Sequence, residues 1–228
     1  MAEDTTITYF NKSQAVKDAY SMLTNNIFLK IEQQNIRSLV VTGCTPKVGN
    51  TTLAFNLAVA MTDMLDRVLL VDADMRSAPK NKLLKDTSLC GMTEVLSGEA
   101  ELGEVLCATC VDNLKYLPCG KNIYNPMSIL CSNSFENFLW WLESQFDLVI
   151  IDTPSLSCVG DASIIASKAD AALLVVELGR TKLLTLKHCK EQLEKVNASI
   201  LGVVFNIVKR NDYKRYFESY NYFRQPSV

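Results

Sequence analysis

Three short stretches carry side chains whose types and spacing suit phosphate chemistry. The first runs Cys44-Thr45-Pro46-Lys47-Val48-Gly49-Asn50-Thr51-Thr52. In the register fixed by Gly49 it follows the phosphate-binding pattern G-x-x-x-x-G-K-[ST], with Cys44 in place of the first glycine and Asn50 in place of the lysine. Backbone N–H groups of such a loop, and of the helix that follows it, favour an anion. Pro46, Lys47, Val48, Gly49, Asn50, Thr51 and Thr52 are therefore the candidate phosphate-binding residues, with the Thr51 hydroxyl available to a divalent cation. Asn50 brings no ammonium, and a charge-assisted hydrogen bond contributes about 1.5–3 kcal/mol. An ordinary strand–turn–helix is the competing reading of this stretch taken alone.

The second stretch is Val71-Asp72-Ala73-Asp74-Met75-Arg76 and the third is Val149-Ile150-Ile151-Asp152-Thr153-Pro154. Carboxylates at the end of a buried apolar strand are costly unless they meet a metal or a partner. Asp72 and Asp74 read as a general base and a cation-associated carboxylate, or else as a capped loop with aspartate and Arg76 paired. Asp152 closes an apolar run in the manner of a Walker B carboxylate, which holds Mg²⁺. All three stretches come directly after apolar runs, in the order such a site requires.

The elements that must position them are legible as alternating periods. Short apolar runs at 39–42, 68–71, 114–117, 148–151, 172–176 and 200–205 read as buried parallel strands. Helical spacing appears between them, as in Leu53, Ala54, Leu57, Ala58, Met61 and again in Phe135, Phe138, Leu139, Leu142. Residues 13–32 read as a further amphipathic helix with Ala15, Ala19, Met22 and Leu23 on one face, and 76–130 as short helices and loops around one strand. The expectation is an α/β fold, a single doubly wound, mostly parallel sheet with helices on both faces. Ligands bind such sheets at the C-terminal strand ends, where the three stretches lie.

Composition narrows the function further. A net charge of −2 gives no case for nucleic acid as a partner. No apolar run reaches the ~20 residues of a membrane helix, and the acidic start Met-Ala-Glu-Asp is unlike a signal peptide, so a cytoplasmic location is expected. The eight cysteines read as reduced small hydrophobes, and Cys107-Ala-Thr-Cys110 lacks the second pair of a zinc site. His188 is the one histidine, which leaves little material for histidine catalysis.

Together these motifs resemble the cytoplasmic bacterial tyrosine kinases of capsule and exopolysaccharide synthesis, a P-loop-related family. Asp72, Asp74 and Arg76 match its Walker A′ pattern hhhDxDxR, and Asp152 its Walker B. Gly91-Met-Thr-Glu-Val-Leu-Ser-Gly98, Leu117-Pro-Cys-Gly120 and Asn125-Pro-Met-Ser-Ile-Leu130 are similar to further segments of the family, and Gly202-Val-Val-Phe-Asn206 to the strand whose asparagine faces adenine. Tyr213, Tyr216, Tyr220 and Tyr222 resemble its autophosphorylated C-terminal cluster, although an i, i+3, i+7 spacing also suits an aromatic helix stripe. The resemblance implies ATP and Mg²⁺ as cofactors, catalytic roles for Asp72, Asp74 and Arg76, Mg²⁺ on Thr51, Asp74 and Asp152, and phosphate transfer to tyrosine between subunits of a ring. It implies a transmembrane adaptor of the chain-length-determinant type that recruits the chain to the membrane, and a cognate tyrosine phosphatase. Residues 1–36 would form an N-terminal helical segment, 37–208 the kinase domain and 209–228 the tyrosine-rich tail.

The chain departs from that pattern at Asn50, and at Asp18, Ser21 and Thr24, where the family's ring-forming motif has Glu, Arg and Arg. Pro79 is displaced by one from the proline that usually follows the Walker A′ arginine. These losses keep a second reading open, a pseudokinase that regulates or binds the adaptor. A third is a ParA/MinD-type ATPase, against which stand Thr45 in place of a signature lysine, Arg76 and the tyrosine tail.

Overall fold

The computed structural model describes residues 14–76, 90–123, 125–208 and 212. Every apolar run singled out above forms a strand: β1 (Ser38–Gly43), β2 (Val68–Asp72), β4 (Leu114–Leu117), β5 (Leu148–Asp152), β6 (Ala171–Glu177) and β7 (Ile200–Asn206). A seventh, β3 (Cys107–Ala108), is two residues long, too short to leave a period in the sequence. It uses half of the Cys-x-x-Cys, whose thiols are both free. The sheet runs β3-β4-β2-β5-β1-β6-β7, parallel throughout except for the antiparallel β3–β4 edge.

Helices α1 (Gln14–Gln34), α2 (Asn50–Met61), α3 (Met92–Ser97), α4 (Leu102–Val105), α5 (Pro126–Leu130), α6 (Asn133–Gln145), α7 (Asp161–Lys168) and α8 (Leu183–Lys195) cover it. Because side chains alternate along a strand, the sheet feeds two cores. Val40, Val149, Ile151 and Leu174 pack with Phe135 and Leu142 of α6, Ile165 of α7 and Leu193 of α8. Leu39, Val41, Ile150 and Leu173 pack on the other face with Leu53, Leu57 and Ala58 of α2 and Ile27 and Ile31 of α1. The doubly wound expectation is met.

Leu53 to Met61 of α2 are all buried, as in a helix apolar on every side, and α1 packs against α2. The Tyr20 hydroxyl and the Asn56 side chain hydrogen-bond across that contact, and burial raises the Tyr20 phenol above its ordinary value. The inward stripe of α1 is Thr24, Ile27 and Ile31, while Met22, expected inside, is half exposed. Leu23 packs against this core as expected, and the buried face extends to a threonine that an apolar count passes over. Thr24 is only 2% exposed, so this position of the family's arginine motif lies in the packing, whereas Ser21 is on the surface.

Beyond β4, a buried carboxylate organises the sheet's rim. Glu94 Oε2 accepts from Gly91 N (2.7 Å) and Oε1 from Lys121 N (3.1 Å), binding α3 to the chain that leaves β4. Gly120, at φ +88°, sits so close that a Cβ there would lie 2.1 Å from Glu94 Oε2. Removing the acceptor leaves two backbone donors stranded. Glu94→Ala is expected to lower stability by about 2–4 kcal/mol, read as a fall in the urea midpoint followed by Trp140 and Trp141 fluorescence; an unchanged midpoint contradicts this role.

Candidate nucleotide and catalytic site

β5 lies between β1 and β2, so the loop after β1 and both carboxylate stretches converge. Asp72 and Asp152 are register partners on adjacent parallel strands, and Val41 of β1 pairs with Asp152 from the other side. Both carboxylates are nearly buried, Asp72 at 7% exposure and Asp152 at 4%. Their joint charge marks the surroundings. Burial, then the charge of Asp72, raises the Tyr116 phenol and the Cys119 thiol far above their usual ranges.

The groups around the carboxylates supply donors. Asp74 N–H donates to Asp72 Oδ1 at 3.0 Å, so the Asp-x-Asp spacing closes a small turn on itself. Asn50 Nδ2 donates to Asp152 Oδ1 (3.0 Å) and to the Thr153 carbonyl (2.9 Å). The residue at the lysine position thus spans from the loop to the carboxylate after β5. Arg76 makes a two-pronged ion pair with Asp161 at the start of α7, Nε to Oδ2 at 2.6 Å and Nη2 to Oδ1 at 3.0 Å. This bond and, more weakly, the charge of Asp161 raise the guanidinium pKa further. Of the two readings of this stretch, an arginine–aspartate pair is present, but its aspartate is Asp161.

The loop from 44 to 49 is braced on several sides. Ser155 Oγ donates to the Thr45 carbonyl (3.0 Å), Leu156 N–H to the Gly43 carbonyl (2.9 Å), and Asn206 Nδ2, from the end of β7, to the Val48 carbonyl (2.8 Å). Gly49 caps α2 at φ 83° and, having no side chain, puts no acceptor of its own on the first-turn amides. A Cβ at Gly49 would also fall 2.5 Å from Asn206 Nδ2. Lys47 holds a positive φ of 65°, a conformation that costs a non-glycine residue about 1–2 kcal/mol. Pro46 and Lys47 are exposed, Val48 is buried, and Thr51 and Thr52 are exposed on the first turn of α2.

This arrangement fits a nucleotide phosphate: a helix start without a side-chain cap from its N-cap residue lies next to the carboxylate that Asn50 reaches, with Thr51 exposed on its first turn. Among the described residues no group of three or more His, Cys, Asp and Glu is arranged to hold a metal alone. A Mg²⁺ here would rely on phosphate oxygens and water as well as protein ligands. The site therefore brings together Asp72, Asp74, Asp152, Asn50, Thr51 and Asn206. Tyr213, Tyr216, Tyr220, Tyr222 and Pro79 lie outside the described residues.

Sequence reasoning missed Asp161. Its signal was present, since Gly160-Asp161 opens the apolar run Ala162, Ile164, Ile165, Ala166 as an acidic helix start, but its pairing with Arg76 spans 85 positions. It also missed that Asn206 braces the loop.

Comparison with known proteins agrees with this geometry. A family model described as an AAA domain matches residues 43–202, from the loop to β7. The tyrosine-protein kinase CpsD of Streptococcus agalactiae is 32% identical over 201 residues, 88% of this chain and 87% of that protein. Its namesake from Streptococcus pneumoniae is 34% identical over 191 residues, 83% of each. The kinase domain of the Escherichia coli tyrosine kinase ETK superposes with a TM-score of 0.79 at 26% identity, covering 85% of this chain and 76% of that one. With relatives of that name matched over nearly their whole length, and with the loop and both carboxylate stretches inside the matched fold, the chain belongs to the CpsD family of tyrosine-protein kinases.

Proposed function

We propose that the chain is an ATP-dependent protein-tyrosine kinase of capsular or exopolysaccharide biosynthesis that phosphorylates its own C-terminal cluster, Tyr213, Tyr216, Tyr220 and Tyr222. The observation that carries this reading is the register of Asp72 beside Asp152, next to the uncapped start of α2. In this reading residues 37–208 are the kinase domain, 1–36 a helical segment and 209–228 the substrate tail. Bound Mg·ATP supplies the transferable phosphoryl group and the cation that offsets its charge. The amides of residues 47–52 hold phosphate oxygens, Asp72 accepts the proton of the tyrosine hydroxyl, and Thr51, Asp74 and Asp152 face the cation. Asn206 keeps the loop closed over the Val48 carbonyl, and Arg76, anchored by Asp161, fixes the turn that carries Asp74. No described helix is long and apolar enough to cross a membrane; a membrane adaptor's cytoplasmic tail is the partner that this reading assigns.

One observation favours a second reading, a pseudokinase with a regulatory role. Asn50 spends its amide on Asp152 and Thr153 and offers phosphate no positive charge. The two readings separate when the purified protein is incubated with Mg·ATP, with and without an adaptor tail, and probed for phosphotyrosine. An active kinase gives signal in the unaltered chain. Asn50→Lys is expected to raise it by about tenfold or more, the worth of one charged hydrogen bond. Signal only in Asn50→Lys supports the pseudokinase and overturns the kinase.

Asp72→Ala tests the proton acceptor. Loss of a general base slows transfer by about 10²–10⁴, so phosphotyrosine formation by Asn50→Lys is expected to collapse when Asp72→Ala is added, with nucleotide affinity little changed. Undiminished phosphorylation in the double variant removes Asp72 from the mechanism.

A further inference from the structure

The loop between β1 and α2 contains one cationic side chain, Lys47, and that residue has an unusual backbone. Lys47 is exposed and holds φ 65°. Glycine adopts this left-handed conformation freely, whereas a residue with a Cβ is strained there. The conformation is fixed from both sides. Ser155 Oγ donates to the Thr45 carbonyl, Asn206 Nδ2 donates to the Val48 carbonyl, and Gly49 is left-handed as well. Val48, between the two left-handed residues, is not. Backbone that alternates hand in this way turns its amides toward one concave side, a nest for an anion. Because the Val48 carbonyl is drawn to Asn206, the Gly49 N–H across the same trans peptide points the other way.

Backbone amides give such a nest dipoles but no full charge, and the neighbouring side chains that could add one are engaged elsewhere. The Asn50 amide is neutral and donates to Asp152 and the Thr153 carbonyl. Arg76 is held by both oxygens of Asp161. The Lys47 ammonium makes no ion pair or hydrogen bond among the described residues. We propose that this ammonium supplies the positive charge that Asn50 lacks, pairing with oxygens of the nucleotide's terminal phosphates while the loop amides hold the same group. The strain at position 47 then has a physical purpose, since it sets a charged side chain on the rim of the nest where glycine would leave none. This inference rests on the nucleotide-binding part of the proposed function and names its charge donor. It does not require that phosphoryl transfer occurs.

Binding of a fluorescent ribose-labelled ATP with Mg²⁺, followed by anisotropy on the purified full chain, tests this without a catalytic step. Lys47→Met keeps the stem and removes the charge, and Lys47→Gly removes the side chain where glycine suits the backbone. Both are expected to weaken binding by about tenfold or more and to make it less sensitive to salt. Lys47→Arg, which keeps the charge, should stay within about threefold of the unaltered chain. Lys47→Gly is expected to melt no lower than the unaltered chain, so that its lost affinity is not lost fold. Adding Asn50→Lys to Lys47→Gly should restore affinity by returning a charge to the loop. Binding indifferent to Lys47→Met and Lys47→Gly overturns this inference alone, as does an equal loss in Lys47→Arg, which would assign the effect to shape. No binding in any of these proteins overturns it together with the nucleotide reading. Affinity that depends on Lys47 in a chain that forms no phosphotyrosine removes the kinase reading and leaves this inference standing.

Discussion

Two carboxylates held side by side are the constraint around which the site is built. Asp72 and Asp152 cannot be moved apart without breaking the β2–β5 register, and that register is set by fully apolar strands whose side chains feed both cores. Paired negative charge at a nearly dry strand end is expensive, so the surrounding backbone and side chains are arranged as donors. The Asp74 amide turns back onto Asp72, and the Asn50 amide crosses from the loop to Asp152. Tyr116 and Cys119, in and just after the neighbouring strand, stay neutral chiefly because they are buried, and secondly because the charge of Asp72 opposes another anion there.

An amide at position 50 satisfies this constraint in geometry but not in charge. It donates to Asp152 as an ammonium would, yet brings no positive charge of its own to the pair of carboxylates. The loop compensates in shape. Asn206 braces the Val48 carbonyl, Ser155 braces Thr45, and Gly49 adopts the left-handed conformation that starts α2. A phosphate cradle built from backbone amides can therefore persist without the lysine, because its dipoles come from the helix start and not from any side chain. In the proposed kinase reading, what Asn50 withholds is charge toward the transferring phosphate and not the shape of the loop.

Much of this was legible in the sequence. The central strands β1, β2, β5 and β6 announced themselves as apolar runs because parallel strands covered on both faces need no polar alternation. The order of loop, Asp-x-Asp-x-Arg and strand-terminal aspartate pointed to the site because each functional group lies within a few residues of the strand that carries it. The misses share a physical cause, since each depends on a partner distant in the chain. Asp161 is found only once the start of α7 is folded against the turn that follows β2. Thr24 looks like a surface residue until α2 is seen to need cover on its outer side. Asn206, expected near adenine by resemblance, also holds the loop, through a contact across 158 positions that the sequence does not show. β3 lies below the length at which any period can be read.

The sheet also grades from a sealed centre to an open edge, and that gradient bears on how such a molecule is controlled. β1, β2 and β5 are buried throughout, so their strand ends can hold a demanding geometry. β7 alternates between half-buried and exposed, with its last residue, Asn206, touching the loop. The strand with the least cover is therefore the one whose last side chain braces the phosphate loop, so part of that loop's support comes from the sheet's edge and not from its sealed centre.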